Sequence, residues 1–108
     1  MKRATTLLLV YFAFGSSVAL CADAPAKADP SVGKQLFDQA NCNTCHDKMM
    51  GGDGNRIFTR PDRRVTSAPA LTKMIRSCIA RTGASLFPED AEHIAAYLNE
   101  RFYKFESK

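Results

Sequence analysis

Cys42-Asn43-Thr44-Cys45-His46 is the stretch that decides the fold of this chain. Its spacing, C-x-x-C-H, is the attachment sequence for a c-type haem. Two thiols on one helical turn can add to the two vinyl groups of a single haem, and the adjacent imidazole can bind the iron from the proximal side. The motif therefore predicts one covalent haem c on Cys42 and Cys45, with His46 as the proximal iron ligand.

Two other uses of these cysteines fit the sequence less well. A zinc site needs a second ligand pair, and His93 and Cys78 do not supply one at the spacing of a zinc finger or ribbon. A thioredoxin-like dithiol would lie in a βαβ context, and no strand-like run flanks the motif.

The amino-terminal segment has the pattern of a secretory signal peptide. Lys2 and Arg3 precede an apolar run over residues 7–14, and small residues and then polar ones follow. The apolar run is too short for a comfortable membrane span. We expect cleavage after Ala22, which divides the chain into a signal peptide (1–22), a flexible leader (23–29) and a folded domain (30–108).

A cysteine near the expected cleavage site leaves a second interpretation open. Acylation of Cys21 would make the chain a lipoprotein, but Leu20 stands where a small residue is wanted. Covalent haem attachment takes place outside the bacterial cytoplasm, so the export signal and the C-x-x-C-H motif both indicate the periplasm. No membrane span is expected after cleavage.

The charge of the chain gives no reason to expect a nucleic-acid partner. The 15 Lys and Arg residues and 11 Asp and Glu residues give a formal net charge of +4. Lys2 and Arg3 leave with the signal peptide, which lowers this value to +2, and two haem propionates would roughly cancel the remainder. A chain this small buries little apolar surface, and a haem would supply a large apolar plate for its core.

Helical periodicity predicts an all-α domain with three main helices. The first begins near Pro30, with Asp29 as its N-cap, and leads into the haem motif. The second runs from about residue 68 to 82 and ends before a glycine, and the third begins at Pro88. The expected inner face of the second comprises Leu71, Met74, Ile75, Cys78 and Ile79. Residues 47–67 have no clean period and are expected to form a loop around one haem edge, where an arginine can pair with a propionate.

This arrangement resembles the small class I cytochromes c over nearly the whole mature chain. In that family a first helix with a Gly-x-x-x-aromatic pattern crosses a last helix with an aromatic-Leu pair. The matching positions here are Gly33, Phe37, Tyr97 and Leu98. The resemblance implies a class I cytochrome c fold around one haem c, and electron transfer rather than enzymatic catalysis.

The chain departs from that family at the sixth iron ligand. Class I cytochromes usually take it from a Met-Pro sequence before the last helix, and this slot reads Leu86-Phe87-Pro88, without a methionine. Met49 and Met50 follow His46 too closely to reach the opposite haem face. Met74 and Cys78 remain, one turn apart on the second helix, and either could instead be a core residue.

A second resemblance bears on this choice. Residues 74–105 look like the small NaxLS-type cytochromes, in which a cysteine completes a His/Cys-ligated haem; the shared features include Cys78, the Phe-Pro-Glu-Asp run at 87–90 and the aromatic carboxyl end. The resemblance implies Cys78 as the distal ligand, with Met74 as the second choice. His93 is expected to be a surface histidine.

Two functions follow from such a haem. The first is periplasmic electron transfer to a redox protein or to a paralogous small cytochrome, with a homodimer or heterodimer as a further possibility. The second is binding of NO or CO, which would displace a weak sixth ligand such as Cys78. An enzyme is not expected, because no nucleophile, base and acid occur together at a recognisable spacing.

Overall fold

The computed structural model describes Gly15 and residues 27–106, and within this part of the chain the regular secondary structure is entirely helical. The predicted signal peptide, Gly15 apart, and most of the predicted leader lie outside the described residues. No helix in the described part is long and apolar enough to cross a membrane. The elements are α1 (Pro30–Gln39), α2 (Asn43–Met49), α3 (Arg56–Thr59), α4 (Ala68–Thr82), α5 (Asp90–Leu98) and a π-helical segment (Asn99–Tyr103).

The first and second predicted helices are confirmed, and so are the two caps predicted for them, Asp29 and Gly83. Asp29 is the N-cap of α1, where its carboxylate accepts hydrogen bonds from the amides of Ser31 and Val32. Ser67 caps α4 in the same way, and Gly83 ends α4 in the left-handed region at φ 65°. The ends of both helices are therefore set by residues that act on their immediate neighbours in sequence.

The third predicted helix begins later than the sequence suggested. Residues 87–89 form a tight turn in which each of the next amides, from Asp90 to Glu92, bonds to the carbonyl three positions before it. The Asp90 carboxylate reaches back to the amide of Phe87 at 2.8 Å. The turn satisfies the first free amides, so the α-helix begins at Asp90 rather than at Pro88.

A close crossing of α1 and α5 forms the centre of the fold. A Cβ added to Gly33 would lie 1.8 Å from the carbonyl oxygen of His93, so only glycine fits this contact. One turn further along, the rings of Phe37 and Tyr97 meet with their centroids 5.6 Å apart. The crossing predicted from Gly33, Phe37 and Tyr97 is present, with the closest approach of the backbones at His93.

The predicted loop over 47–67 contains a short helix, α3, which contributes to the core. Phe58 of α3 is buried, and its ring lies 6.1 Å from that of Phe37 and 5.2 Å from that of Phe102. Leu71 and Ile75 of α4 and one side of α5 complete the core. Its buried members are Phe37, Phe58, Val65, Leu71, Ile75, Ala91, Ile94, Ala95, Leu98 and Tyr103.

The carboxyl end of the last helix widens into a π-helix and then turns back. Lys104 ends the segment in the left-handed region at φ 60°. The side-chain amide of Asn99 holds the returning chain, because it accepts from the amide of Phe105 at 2.7 Å and donates to its carbonyl at 3.0 Å. The aromatic residues at the end of the chain are thereby folded back towards α3.

Candidate haem-attachment site

The C-x-x-C-H motif lies on α2, which follows α1 after a sharp change of direction. Asn41 makes this turn in the left-handed region at φ 52°, a conformation that asparagine tolerates better than most residues. The amide of Cys42 then donates to the carbonyl of Phe37 at 3.2 Å. Cys42 is half-buried against the core and Cys45 is exposed, and both thiols are free.

His46 is held against the aromatic core by α2. Its half-buried ring lies edge-on to Phe58, with 5.4 Å between the ring centroids. Burial lowers the pKa of the imidazole, an effect that the nearby Asp47 charge partly opposes. The neutral ring that burial favours is the form that binds a metal ion through nitrogen.

The glycine-rich loop after α2 packs directly on His46. Asp47 accepts the amide hydrogen of Gly54 at 2.7 Å. Gly54 is buried, and a Cβ built there would lie 2.9 Å from the Cβ of His46. The loop around one haem edge stays a prediction, and the structure places the Gly54 part of that loop against His46 and Asp47.

Two amide side chains, one on α2 and one in the loop that follows it, form a chain of contacts that ends at the histidine ring. Nδ1 of His46 lies 3.3 Å from Oδ1 of Asn43, one turn earlier on α2. Nδ2 of Asn43 donates in turn to Oδ1 of Asn55 at 2.7 Å. Sequence reasoning missed both asparagines, because nothing in the linear order indicates that Asn55 returns to α2.

Among the arginines of the predicted loop, Arg63 packs against aromatic rings. Its guanidinium lies 4.7 Å from the ring centroid of Tyr103 and 5.7 Å from that of Phe105, and it donates to the carbonyl of Phe58 at 2.9 Å. By contrast, Arg60 pairs with Asp62 in a bidentate contact at the surface. Arg63 thus joins α3 to the carboxyl end of the chain.

The two candidates for the distal ligand differ in their surroundings on α4. Cys78 is half-buried, whereas Met74 is 37% exposed and lies at the edge of the apolar face rather than inside it. The pKa of the Cys42 thiol is raised, first by burial and then by the charge of Cys78. Cys78 is the less exposed of the two candidates.

His93 is more than a surface histidine. It is half-buried on α5, and its Nδ1 accepts the amide hydrogen of Asp29 at 2.8 Å. The bond ties the start of α1 to α5 beside the Gly33 crossing, which gives His93 a structural part in the fold.

These residues fit the chemistry of haem c attachment. One helical turn carries two free thiols and a half-buried imidazole whose Nδ1 has an acceptor, which leaves Nε2 for a metal ion. Aromatic rings line the side of the turn that faces the core.

The comparison with known families agrees with this chemistry. Residues 28–98 match the family described as cytochrome C oxidase, cbb3-type, subunit III. The chain belongs to this cytochrome c family. No curated protein and no solved structure matches the chain. Its helical structure is that of a cytochrome c domain, its cofactor is covalent haem c, and its biochemical class is that of a haem electron-transfer protein.

Proposed function

We propose that this cytochrome c is a periplasmic monohaem electron carrier in which Cys42 and Cys45 bind the haem covalently and His46 is the proximal ligand. The observation that carries the proposal is the C-x-x-C-H turn itself, with His46 set edge-on to Phe58. Haem c supplies one-electron chemistry between ferric and ferrous iron.

The surroundings of His46 suit a carrier of electrons rather than an enzyme. The ring is enclosed on one side by Phe58, which in turn contacts Phe37, Phe102 and Tyr103. Closely packed aromatic rings exclude water and move little, so the His46 ring keeps its orientation in both redox states. These aromatic side chains can therefore hold the proximal ligand in one orientation.

The location and partners are inferred from the sequence. The basic, apolar and small-residue order over 1–22 supports export, and haem attachment takes place in the same compartment. We infer a periplasmic redox protein or a paralogous small cytochrome as the partner, in a transient complex or in a homodimer or heterodimer. Amino-terminal sequencing of the protein from a periplasmic fraction tests the export step, and a chain that still begins at Met1 would contradict it.

Cys78 is the distal ligand in this proposal. Its side chain is half-buried on α4, whereas Met74, one turn earlier on the same helix, is 37% exposed. The slot before Pro88 holds Phe87, which is 73% exposed and has no atom that can ligate iron. A thiolate is a soft, negatively charged ligand that stabilises ferric iron, so the reduction potential would be low.

Covalent attachment is tested by haem-dependent peroxidase staining of the denatured protein on a gel. The wild type should keep the stain after acid-acetone extraction, and the double variant with Cys42→Ala and Cys45→Ala should lose it. Cys78→Ala serves as the matched cysteine control and should keep the stain. Loss of the stain from the extracted wild type would overturn the proposal.

The distal ligand is tested by ferric absorption spectra and by redox titration. Cys78→Ala should convert a low-spin ferric spectrum to a high-spin one and raise the reduction potential. Met74→Leu, one turn away on the same helix, should change neither. An unchanged spectrum for Cys78→Ala would show that the thiol is only a core residue, and the reverse pattern would assign the ligand to Met74.

A second candidate function is reversible binding of NO or CO to the ferrous iron. The observation that favours it is Phe87 in the slot that usually provides methionine, because a weaker ligand can then be displaced by a gas. Mixing the reduced wild type and the reduced Cys78→Ala variant with CO should give faster binding in the variant. If the wild type binds no CO at millimolar concentration, electron transfer alone remains.

A further inference from the structure

We propose that Asn43 and Asn55 are positioning residues for the proximal histidine, and that together they fix the tautomer and the ring orientation of His46. The inference rests on the proposed role of His46 as an iron ligand and extends it to two residues outside the ligand set. The feature that carries it is the continuous chain of amide contacts from the loop after α2 to Nδ1 of the imidazole.

The direction of the hydrogen bonds follows from the chemistry of the ligand. An imidazole that binds iron through Nε2 keeps its proton on Nδ1, so Nδ1 has to donate. The oxygen of Asn43 lies 3.3 Å from this nitrogen, near the long end of the hydrogen-bond range. An amide oxygen accepts and does not donate, so this contact favours the tautomer that leaves Nε2 free.

Asn55 determines which end of the Asn43 amide faces the histidine. The NH2 group of Asn43 donates to Oδ1 of Asn55 at 2.7 Å, a shorter contact than the one to His46. With its nitrogen engaged by Asn55, Asn43 presents its oxygen to the imidazole. Rotation of this amide by half a turn would exchange donor and acceptor at both contacts.

The loop holds Asn55 in place through its backbone. The amide of Asn55 donates to the Asp53 carboxylate at 3.2 Å, and the adjacent amide of Gly54 donates to the Asp47 carboxylate at 2.7 Å. Gly54 is packed so closely on α2 that a Cβ would meet Asp47 at 2.7 Å. Asn55 therefore returns to α2 at a defined position, within hydrogen-bond distance of Asn43.

An acceptor at Nδ1 also affects the electronic properties of the ligand. A hydrogen bond from Nδ1 makes the imidazole a stronger electron donor, which stabilises ferric iron and lowers the reduction potential. A neutral amide has a moderate effect of this kind, and a carboxylate at the same position would have a larger one. The two asparagines thus set both the geometry and the donor strength of His46.

The test uses the ferrous holoprotein with ¹⁵N-labelled histidine, in which NMR follows exchange of the His46 Nδ1 proton with water. Asn43→Ala and Asn55→Ala should each speed this exchange, by about five- to tenfold for the directly bonded Asn43. Asn55→Asp keeps an acceptor for the Asn43 NH2 group and should restore slow exchange. Asn55→Asp would also preserve a purely structural contact, so the reduction potential supplies the readout that separates the two roles.

Reduction potentials provide the second readout. Asn43→Ala should raise the potential and Asn43→Asp should lower it. Thr44→Asp places the same charge on an exposed neighbour in α2 and should lower the potential by less than Asn43→Asp does. Asn43 lies within the C-x-x-C-H motif, and Asn55 lies outside it. If Asn43→Ala attaches no haem, the potential of Asn55→Ala decides whether the asparagines act on His46.

The outcomes separate this proposal from the proposed function. If the wild type and the asparagine variants all keep covalent haem, but exchange and potential are the same in all of them, the positioning role is wrong and the haem site stands. If the wild type holds no covalent haem, both proposals fall.

Discussion

Gly33→Ala is expected to destabilise the holoprotein strongly, although alanine is the better helix former. The added Cβ would lie 1.8 Å from the His93 carbonyl oxygen and 2.4 Å from its carbon, both of them backbone atoms that cannot rotate away. Helices α1 and α5 would have to separate by roughly 1.5 Å to restore van der Waals contact.

The size of the effect follows from what this separation disturbs. Overpacking in a close contact costs about 1–3 kcal/mol. The bond from Asp29 to His93 at 2.8 Å and the Phe37–Tyr97 contact at 5.6 Å would weaken as well, at about 1 kcal/mol each. Replacing glycine by alanine inside a helix returns about 1 kcal/mol. The net loss should be about 3 kcal/mol, or about 15 °C in Tm for a domain of this size.

Urea unfolding monitored by far-ultraviolet circular dichroism and by haem absorbance measures this loss. Gln35→Ala, at an exposed position of α1, is the matched control and should leave the midpoint nearly unchanged. A Gly33→Ala protein that is as stable as the wild type, or more stable, would refute the close crossing, because helix propensity would then be the only effect present.

Three further outcomes are expected. Arg63→Ala should lower the free energy of unfolding by about 1–2 kcal/mol through loss of the guanidinium contact with Tyr103 and of a hydrogen bond to a carbonyl of α3; the exposed Arg64→Ala should have little effect in the same urea titration. Asn99→Ala should speed amide hydrogen exchange at Phe105 by about tenfold, because both bonds that hold the returning chain are lost, and unchanged exchange would contradict the clamp. Burial raises the pKa of the Tyr103 phenol above its ordinary value of 10.0, so its contribution to stability is complete below pH 10 or so and is lost as pH rises through the raised pKa; Tyr103→Phe should remove that part of the alkaline decline.

The helices were predictable where the signals are local. Asp29 before Pro30 and Gly83 after the second helix are capping residues whose effect depends on their immediate neighbours. The α1–α5 crossing could also be predicted, because the family resemblance identified Gly33. α3 was not predictable: four residues are too few to show a helical period, and its stability comes from the burial of Phe58.

The candidate site was predictable in its motif but not in its surroundings. C-x-x-C-H specifies a chemistry by spacing alone, so the sequence identifies Cys42, Cys45 and His46 as candidates. The contacts of Asn55 with α2 and of Arg63 with the carboxyl end depend on how a loop without periodicity folds. Periodicity also placed Met74 on the inner face of α4. In the structure the buried stripe of α4 is narrower, and Met74 lies at the edge of that stripe.

The crossing of α1 and α5 also joins the two ends of the domain. The hydrogen bond between Asp29 and His93 joins residues 64 positions apart, and it closes nearly the whole domain into one loop. Loop closure of this length costs chain entropy before any contact repays it, and such non-local contacts form slowly. The segment with the two thiols lies inside this loop, and Cys45 stays exposed in the folded domain. Closure of the domain ends therefore leaves at least this thiol of α2 open to solvent.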